Sequence, residues 1–128
     1  MNDNRELIMN AEELKNRTKQ FAHRCVKLAV SLPNTQLGRH LQGQLIRCAT
    51  SVAANYRAAN LGQTKSVFIA KISIVIEEAD ESVFWLEFIK DEKLIKEELL
   101  DPLLREANEL KAIFIASRKT AARNLKTE

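Results

Sequence analysis

Glycine and proline are scarce in this sequence, and their scarcity argues against a fold built from β-sheets. Only three glycines and two prolines occur among 128 residues, while Ala, Leu, Ile, Lys, Glu and Arg dominate, as they do in long helices. A chain of this length fits one domain and can bury a single core without metal or disulfide staples. We therefore expect one all-α domain over residues 1–128, with an ordered bundle at about 10–118 and a basic, frayed tail at 119–128.

Long apolar runs are also missing. No stretch approaches the roughly 20 residues that span a bilayer, and segment 1–10 contains Asp3 and Glu6 but lacks the apolar core of a secretory signal. The two cysteines, Cys25 and Cys48, both fall on apolar stripes, where a free thiol packs as a small hydrophobe. We expect a cytoplasmic protein with two thiols rather than a disulfide, and without a membrane contact.

Recognisable catalytic motifs are absent as well. His23 and Cys25 are two residues apart on one predicted helix and so point to different faces. His40 has no acid nearby in the sequence, and the acidic segment 77–81 lacks the Glu-x-x-His pairs of a di-metal bundle. No glycine-rich phosphate loop, CxxC, HExxH or GxSxG motif occurs. We expect no catalytic residues, no metal and no cofactor, and we interpret segment 77–81 as a solvated or partner-facing surface.

Apolar residues recur at three- and four-residue spacing, which predicts an antiparallel up-and-down four-helix bundle. The predicted helices cover about residues 10–32, 36–60, 64–90 and 96–118. Asn10, Thr35 and Thr64 are the predicted N-caps of the first three, while Asp101 and Pro102 offer an alternative start for the fourth. The predicted inward-facing row of the fourth helix is Leu99, Leu103, Ala107, Leu110 and Phe114.

Acidic residues are missing from positions 14–76, where ten Lys and Arg residues occur. Beside the cations of the second helix lie Gly43, Thr50 and Ala54, and small residues would let a phosphate backbone or another helix approach closely. One interpretation is therefore a nucleic-acid surface that contacts phosphates with little sequence specificity. Its candidate residues are Lys15, Lys19, Lys27, Arg39, Arg47, Arg57, Lys65 and Lys71.

The acids are concentrated instead in segment 77–109, which contains twelve of them against four bases. An alternative interpretation is that the cations of the first half pair with these acids, within the chain or across a subunit boundary. Opposite charges on different faces favour head-to-tail contacts, which can close into rings. Under this alternative the protein is a scaffold whose charged faces join only subunits or a protein partner.

The third predicted helix has two apolar faces. With Phe68 at zero and about 100° per residue, one stripe clusters around Phe68, and a second lies about 100° to 160° away. That second stripe contains Val67, Ile74, Trp85 and Phe88. A partner surface explains it more easily than water does, so we expect a homo-oligomer with these four residues in the interface. The alternative is that the neighbouring helices of the same chain cover this face.

Several segments of the second and third helices carry a family resemblance. The segments are QLIR at 44–47, TSVAANYR at 50–57, FIAKISI at 68–74, EEADES at 77–82 and WLE at 85–87. Together they resemble the signature of the four helix bundle proteins encoded by intervening sequences within bacterial 23S ribosomal RNA genes. The resemblance covers roughly residues 21–117, and Asn55-Tyr56 and segment 78–81 are its most particular parts. This chain has Ala58 where family members often carry an acid.

The resemblance implies an up-and-down four-helix bundle that assembles as a ring, typically a pentamer. The family is also similar to the accessory variability proteins of diversity-generating retroelements, which are basic pentameric barrels considered to bind nucleic acid and a reverse transcriptase. Neither group is known for an enzymatic activity. The resemblance therefore implies a non-catalytic bacterial protein, for which nucleic-acid binding is the expected function and a structural scaffold the alternative.

Overall fold

The computed structural model describes residues 10–62 and 64–126, and all regular structure in this part of the chain is helical. The four helices are α1 (Ala11–Val30), α2 (Gln36–Ala59), α3 (Lys65–Asp91) and α4 (Glu97–Lys126). Each helix packs against its successor, and α1 also contacts α4, less extensively. The contacts of His40 with Trp85 and of Arg47 with Glu78 show that α2 and α3 are antiparallel. The prediction of an all-α four-helix bundle is confirmed.

Hydroxyl and amide side chains begin the first three helices, as the sequence predicts. The side-chain oxygen of Asn10 accepts a hydrogen bond from the backbone N–H of Glu13 at 2.8 Å. Thr35 accepts one from the N–H of Gly38 at 3.0 Å, and Thr64 accepts one from the N–H of Val67 at 3.1 Å. Each bond satisfies a backbone donor that the first turn of a helix leaves without an intrahelical partner.

The core is a single apolar cluster to which all four helices contribute. Its largest fully buried side chains include Phe21 and Phe114, and the ring of Tyr56 packs against Phe114 with centroids 5.4 Å apart. Cys25 and Cys48 are buried free thiols. Burial raises the pKa of both, that of Cys48 to about 11, because a thiolate loses its hydration in apolar surroundings. Both cysteines therefore lie on the buried stripes of α1 and α2, as the sequence predicts.

One predicted inward-facing residue of α4 is wrong. Leu99 was assigned to the inner row but is 61% exposed, whereas Leu100 is fully buried. Because α4 packs closely on α3 and only loosely on α1, the apolar position on the α3 side is the one that is covered. The helix begins at Glu97, close to the predicted start at about residue 96, and the alternative start at Asp101 and Pro102 is excluded. Pro102 lies inside the helix, where it removes one hydrogen bond, to the carbonyl of exposed Glu98.

α4 continues to Lys126, beyond the end predicted at about residue 118. Ala121 and Ala122 favour a helix, and Thr120, Ala121 and Asn124 line a groove together with Phe68 of α3. Residues 127–128 lie outside the described part of the chain. Over the part that is described, none of the helices combines the length and the apolar character needed to cross a bilayer.

Candidate nucleic-acid interface

A groove of about 760 Å³ lies between α1 and α2. Its floor consists of small or aliphatic residues, namely Ala22, Val26, Ala53 and Ala54. Its rims are mainly basic, with Lys15, Lys19 and His23 from α1 and Arg57 from α2. We call this feature the α1–α2 groove. It combines an accessible, shallow floor with positive charge on both sides.

Helix periodicity and antiparallel packing bring these cations together. Lys15, Lys19 and His23 recur every four residues and therefore lie on one side of α1. Arg57 is near the end of α2, which the antiparallel arrangement places beside the beginning of α1. Lys15 has a weak exposed pair with Glu12, at 3.5 Å. Among the described residues, no carboxylate pairs with Lys19 or Arg57, so their charge remains available to an anionic partner.

The other candidate cations lie outside this groove. Lys27 is exposed on α1, and the guanidinium of Arg39 donates a hydrogen bond to Asn34 at 2.9 Å. Lys65 lines a different groove, at the beginning of α3, and Lys71 is half-buried on the same helix. The structure therefore unites three of the eight predicted nucleic-acid residues, Lys15, Lys19 and Arg57, in one place.

Arg47 forms ion pairs with acids of the same chain. Its guanidinium lies 3.0 Å from Glu78 and also bonds Glu81, which joins α2 to α3. The hydrogen bond from Arg47 lowers the pKa of Glu81, because a nearby cation favours the charged carboxylate. For this residue the structure agrees with the alternative interpretation, in which basic and acidic halves pair within the chain.

A second ion pair spans the loosely packed boundary between α1 and α4. Arg17 donates two hydrogen bonds of 2.7 Å to Glu106, and a further bond of 3.0 Å to Glu109. The Glu106 side chain is only 15% exposed. The hydrogen bonds to Glu106 raise the pKa of the Arg17 guanidinium. Bidentate geometry and partial burial make this the pair best placed to hold α1 against α4.

Segment 77–81 contributes mainly to internal ion pairs. Besides the two carboxylates that bind Arg47, Asp80 lies 3.1 Å from Lys111 and thereby joins α3 to α4. Glu77 is exposed. The interpretation of this segment as a solvated or partner-facing surface therefore applies to Glu77. The acids Glu78, Asp80 and Glu81 instead form ion pairs between helices.

Trp85 and Phe88 form an aromatic cluster on α3 with Phe84. Phe84 is 51% exposed, and its ring centroid lies 4.8 Å from that of Trp85. Phe88 lies 6.1 Å from both rings. Trp85 is itself half-buried: it contacts the His40 ring edge-on at 5.6 Å, and its indole N–H donates to Glu81 at 3.1 Å. We call Phe84, Trp85 and Phe88 the aromatic ridge.

The four predicted interface residues do not form one compact patch. Val67 and Ile74 are exposed, but Val67 is eighteen positions before Trp85 and therefore about 27 Å away along the helix axis. Phe84, the most exposed ring of the ridge, was absent from the prediction. The same helical projection could have identified Phe84. This residue lies about 160° from Phe68, but in the opposite direction of rotation from the stripe that contains Trp85.

Asn55 and Tyr56, the most particular residues of the resemblance, have structural positions. The amide of Asn55 donates to the carbonyl and the hydroxyl of Ser51 at 3.0 and 2.8 Å. Tyr56 is buried against Phe114, and burial raises the pKa of its hydroxyl. Asn55 therefore bonds within α2, and Tyr56 packs against α4 in the core.

Comparison with known proteins gives the family. The family model described as 23S rRNA-intervening sequence protein matches residues 11–116. The chain is also similar to a crystal structure from Bacteroides thetaiotaomicron, described as a protein of unknown function from the S23 ribosomal protein family. The two share 31% identity and a TM-score of 0.80, over 87% of this chain and 99% of the other. None of the curated proteins matches. The chain belongs to the family of 23S rRNA-intervening sequence proteins.

Proposed function

We propose that this protein is a non-catalytic homo-oligomer that binds nucleic acid through the α1–α2 groove. The observation that carries the proposal is the presence of Lys19 and Arg57 on opposite rims of one accessible groove, where neither pairs with a carboxylate of residues 10–62 or 64–126. Lys15 adds a third cation, whose ion pair among the described residues is with exposed Glu12. Phosphate groups are the natural partners of such a site, because neutralising them releases condensed counterions.

Binding of RNA at increasing salt concentration tests the proposal. The logarithm of the association constant should fall linearly with the logarithm of the salt concentration, by about 0.7 to 0.9 for each phosphate neutralised. The double variant Lys19→Ala/Arg57→Ala should reduce this slope by roughly 1.4 to 1.8 per bound protomer. Arg24→Ala is the matched control, because Arg24 is an exposed cation of α1 that does not line the groove. Salt-insensitive binding, or equal effects of both variants, would refute the assignment.

The aromatic ridge supports the proposal of self-association. Phe84 is about half exposed and belongs to a cluster of three aromatic side chains, and aromatic residues are enriched in the cores of protein interfaces. The family resemblance favours a ring, typically a pentamer. Trp85 has contacts within the chain, so we assign the central contact to Phe84 and a supporting position to Trp85.

Light scattering measures the mass of the particle in solution and so tests assembly. Phe84→Glu should convert the oligomer to monomers while its helical circular dichroism is retained. Val30→Glu is the matched control, because Val30 is a comparable exposed apolar residue, 59% accessible, at the end of α1. A wild-type protein that is monomeric at all concentrations would contradict assembly. If both variants dissociate the oligomer, the ridge is not the specific contact.

A second candidate function is a scaffold that uses its charges only for association. The internal pairs of Arg47 with Glu78 and of Arg17 with Glu106 favour this candidate, because they show basic and acidic halves pairing within the chain. Under this candidate, the unpaired cations of the groove would meet acids of a second subunit or of a protein partner. Lys19→Ala/Arg57→Ala would then dissociate the assembly, and the intact protein would not bind RNA or DNA.

A further inference from the structure

The α1–α2 groove offers cations but little surface on which a base could stack. No Phe, Tyr or Trp is among its described lining residues, and its one imidazole, His23, is on the exposed rim. The larger rings lie elsewhere: Tyr56 is buried in the core, and the aromatic ridge is on α3. An extended single strand that entered this groove would therefore find phosphate ligands while its bases remained unstacked.

The separation of the groove cations from the aromatic rings matters because proteins bind single strands and duplexes through different contacts. Proteins that hold single strands combine a basic groove with aromatic rings, and base stacking on those rings supplies much of their affinity. In a duplex the bases already stack on one another, so a protein can bind it through phosphate contacts alone. A duplex also has the higher charge density and releases more counterions for each contact, with a slope of about 0.9 against 0.7.

The geometry of the groove suits a continuous phosphate backbone. Lys15 and Lys19 are one helical turn apart, about 6 Å along the axis of α1, and Arg57 lies across from them on α2. The small side chains of Ala53 and Ala54 form the floor between these cations. Contacts of these three cations with phosphate groups would position the backbone and carry no sequence information.

We infer that the α1–α2 groove binds the phosphate backbone of double-stranded nucleic acid in preference to single strands, and does so without reading sequence. This inference rests on the proposed nucleic-acid function and names its substrate class. With three cations engaged, raising the salt concentration from about 50 to about 200 mM should weaken duplex binding roughly 40-fold for each bound protomer, and single-strand binding roughly 20-fold.

Fluorescence anisotropy of the full-length protein tests the inference. The probes are a mixed-sequence RNA duplex, the DNA duplex of the same sequence, and one strand of each alone. Tighter binding and a steeper salt slope for both duplexes than for their single strands would support the inference. A single strand that binds as tightly as its duplex would overturn it and leave the nucleic-acid function standing. If no probe binds, the inference and the proposed function fail together.

A gain-of-function variant tests the reason for the preference. Ala54 is exposed on the groove floor, and Ala54→Tyr adds a ring beside the cations without altering their number. Affinity for the single strand should then rise at least about fivefold, because one base can stack on the new ring. Duplex affinity should stay constant or fall. Ala54→Leu is the control, because it adds similar apolar bulk without a ring. Equal changes in single-strand affinity for both substitutions would overturn the stacking argument.

Discussion

Arg47 and Arg57 are two exposed arginines on one helix. We predict that replacing Arg47 by alanine lowers the stability of the fold, whereas replacing Arg57 weakens nucleic-acid binding. The Arg47 side chain is 50% exposed, and it bridges to Glu78, which is only 14% exposed, and to Glu81. An exposed ion pair contributes about 0.2 to 1 kcal/mol after solvent screening, and a mostly buried carboxylate that loses its partner adds a desolvation cost. Arg47→Ala should therefore lower the free energy of unfolding by about 1 to 2 kcal/mol.

Arg57→Ala should leave the free energy of unfolding within about 0.5 kcal/mol of the wild type, because the exposed Arg57 side chain forms no ion pair or hydrogen bond within the described part of the chain. It should instead reduce the salt slope of nucleic-acid binding by about 0.7 to 0.9. Arg47→Ala should leave that slope nearly unchanged. Urea unfolding followed by circular dichroism, at one fixed protomer concentration, measures the first quantity. Anisotropy titrations at several salt concentrations measure the second.

The pH dependence of the Arg47 effect gives an independent check on its cause. Arg47 lowers the pKa of Glu81 in the folded protein, so the pair stabilises the fold above the ordinary carboxyl pKa and loses this effect as pH falls through the lowered value. The difference between wild type and Arg47→Ala should therefore shrink below about pH 4. A difference that persists at low pH, or a loss of salt slope as large as that of Arg57→Ala, would refute the internal role of Arg47.

Three further predictions concern the groove and the core. Glu12→Gln should strengthen nucleic-acid binding about two- to threefold at low salt, measured by anisotropy, because it leaves Lys15 unpaired. The buried thiols of Cys25 and Cys48 should react with a thiol reagent only after unfolding. Because the pKa values of both thiols are raised in the fold, the free energy of unfolding should fall as pH rises above about 9. Phe114→Ala should cost about 3 to 5 kcal/mol in urea unfolding, since the ring is fully buried.

The fold could be predicted from sequence because local signals and the apolar pattern agree. Asn10, Thr35 and Thr64 each begin a helix with the predicted capping hydrogen bond. The apolar rows of α1 and α2 each have the spacing of one buried stripe, so only one face of each helix could enter the core. Consistency between caps and periodicity leaves little choice of architecture for a chain of this composition.

Other features depend on which helices are neighbours, and a single-helix pattern does not contain that information. Leu99 and Leu100 are equally apolar, and only the closer packing of α4 on α3 decides which one is buried. Arg47 and Arg57 look alike in sequence until α3 is placed beside α2 and supplies Glu78 and Glu81 to one of them. The arrangement of the helices was therefore needed to tell which of the eight predicted cations pair within the chain and which line the groove.

The order of charges along the chain explains why the unpaired cations collect where they do. Acids are absent from positions 14–76, and this range contains nearly all of α1 and the whole of α2. The boundary of α2 with α3 and that of α1 with α4 each join a basic helix to one with acids, so Arg47 and Arg17 find carboxylates there. The α1–α2 boundary joins two acid-poor helices, and among the described residues Glu12 is the one acid that lines the groove there. Lys19 and Arg57 on that boundary find no carboxylate partner in the part of the chain that the structure describes, which is why we propose an anionic partner at this groove.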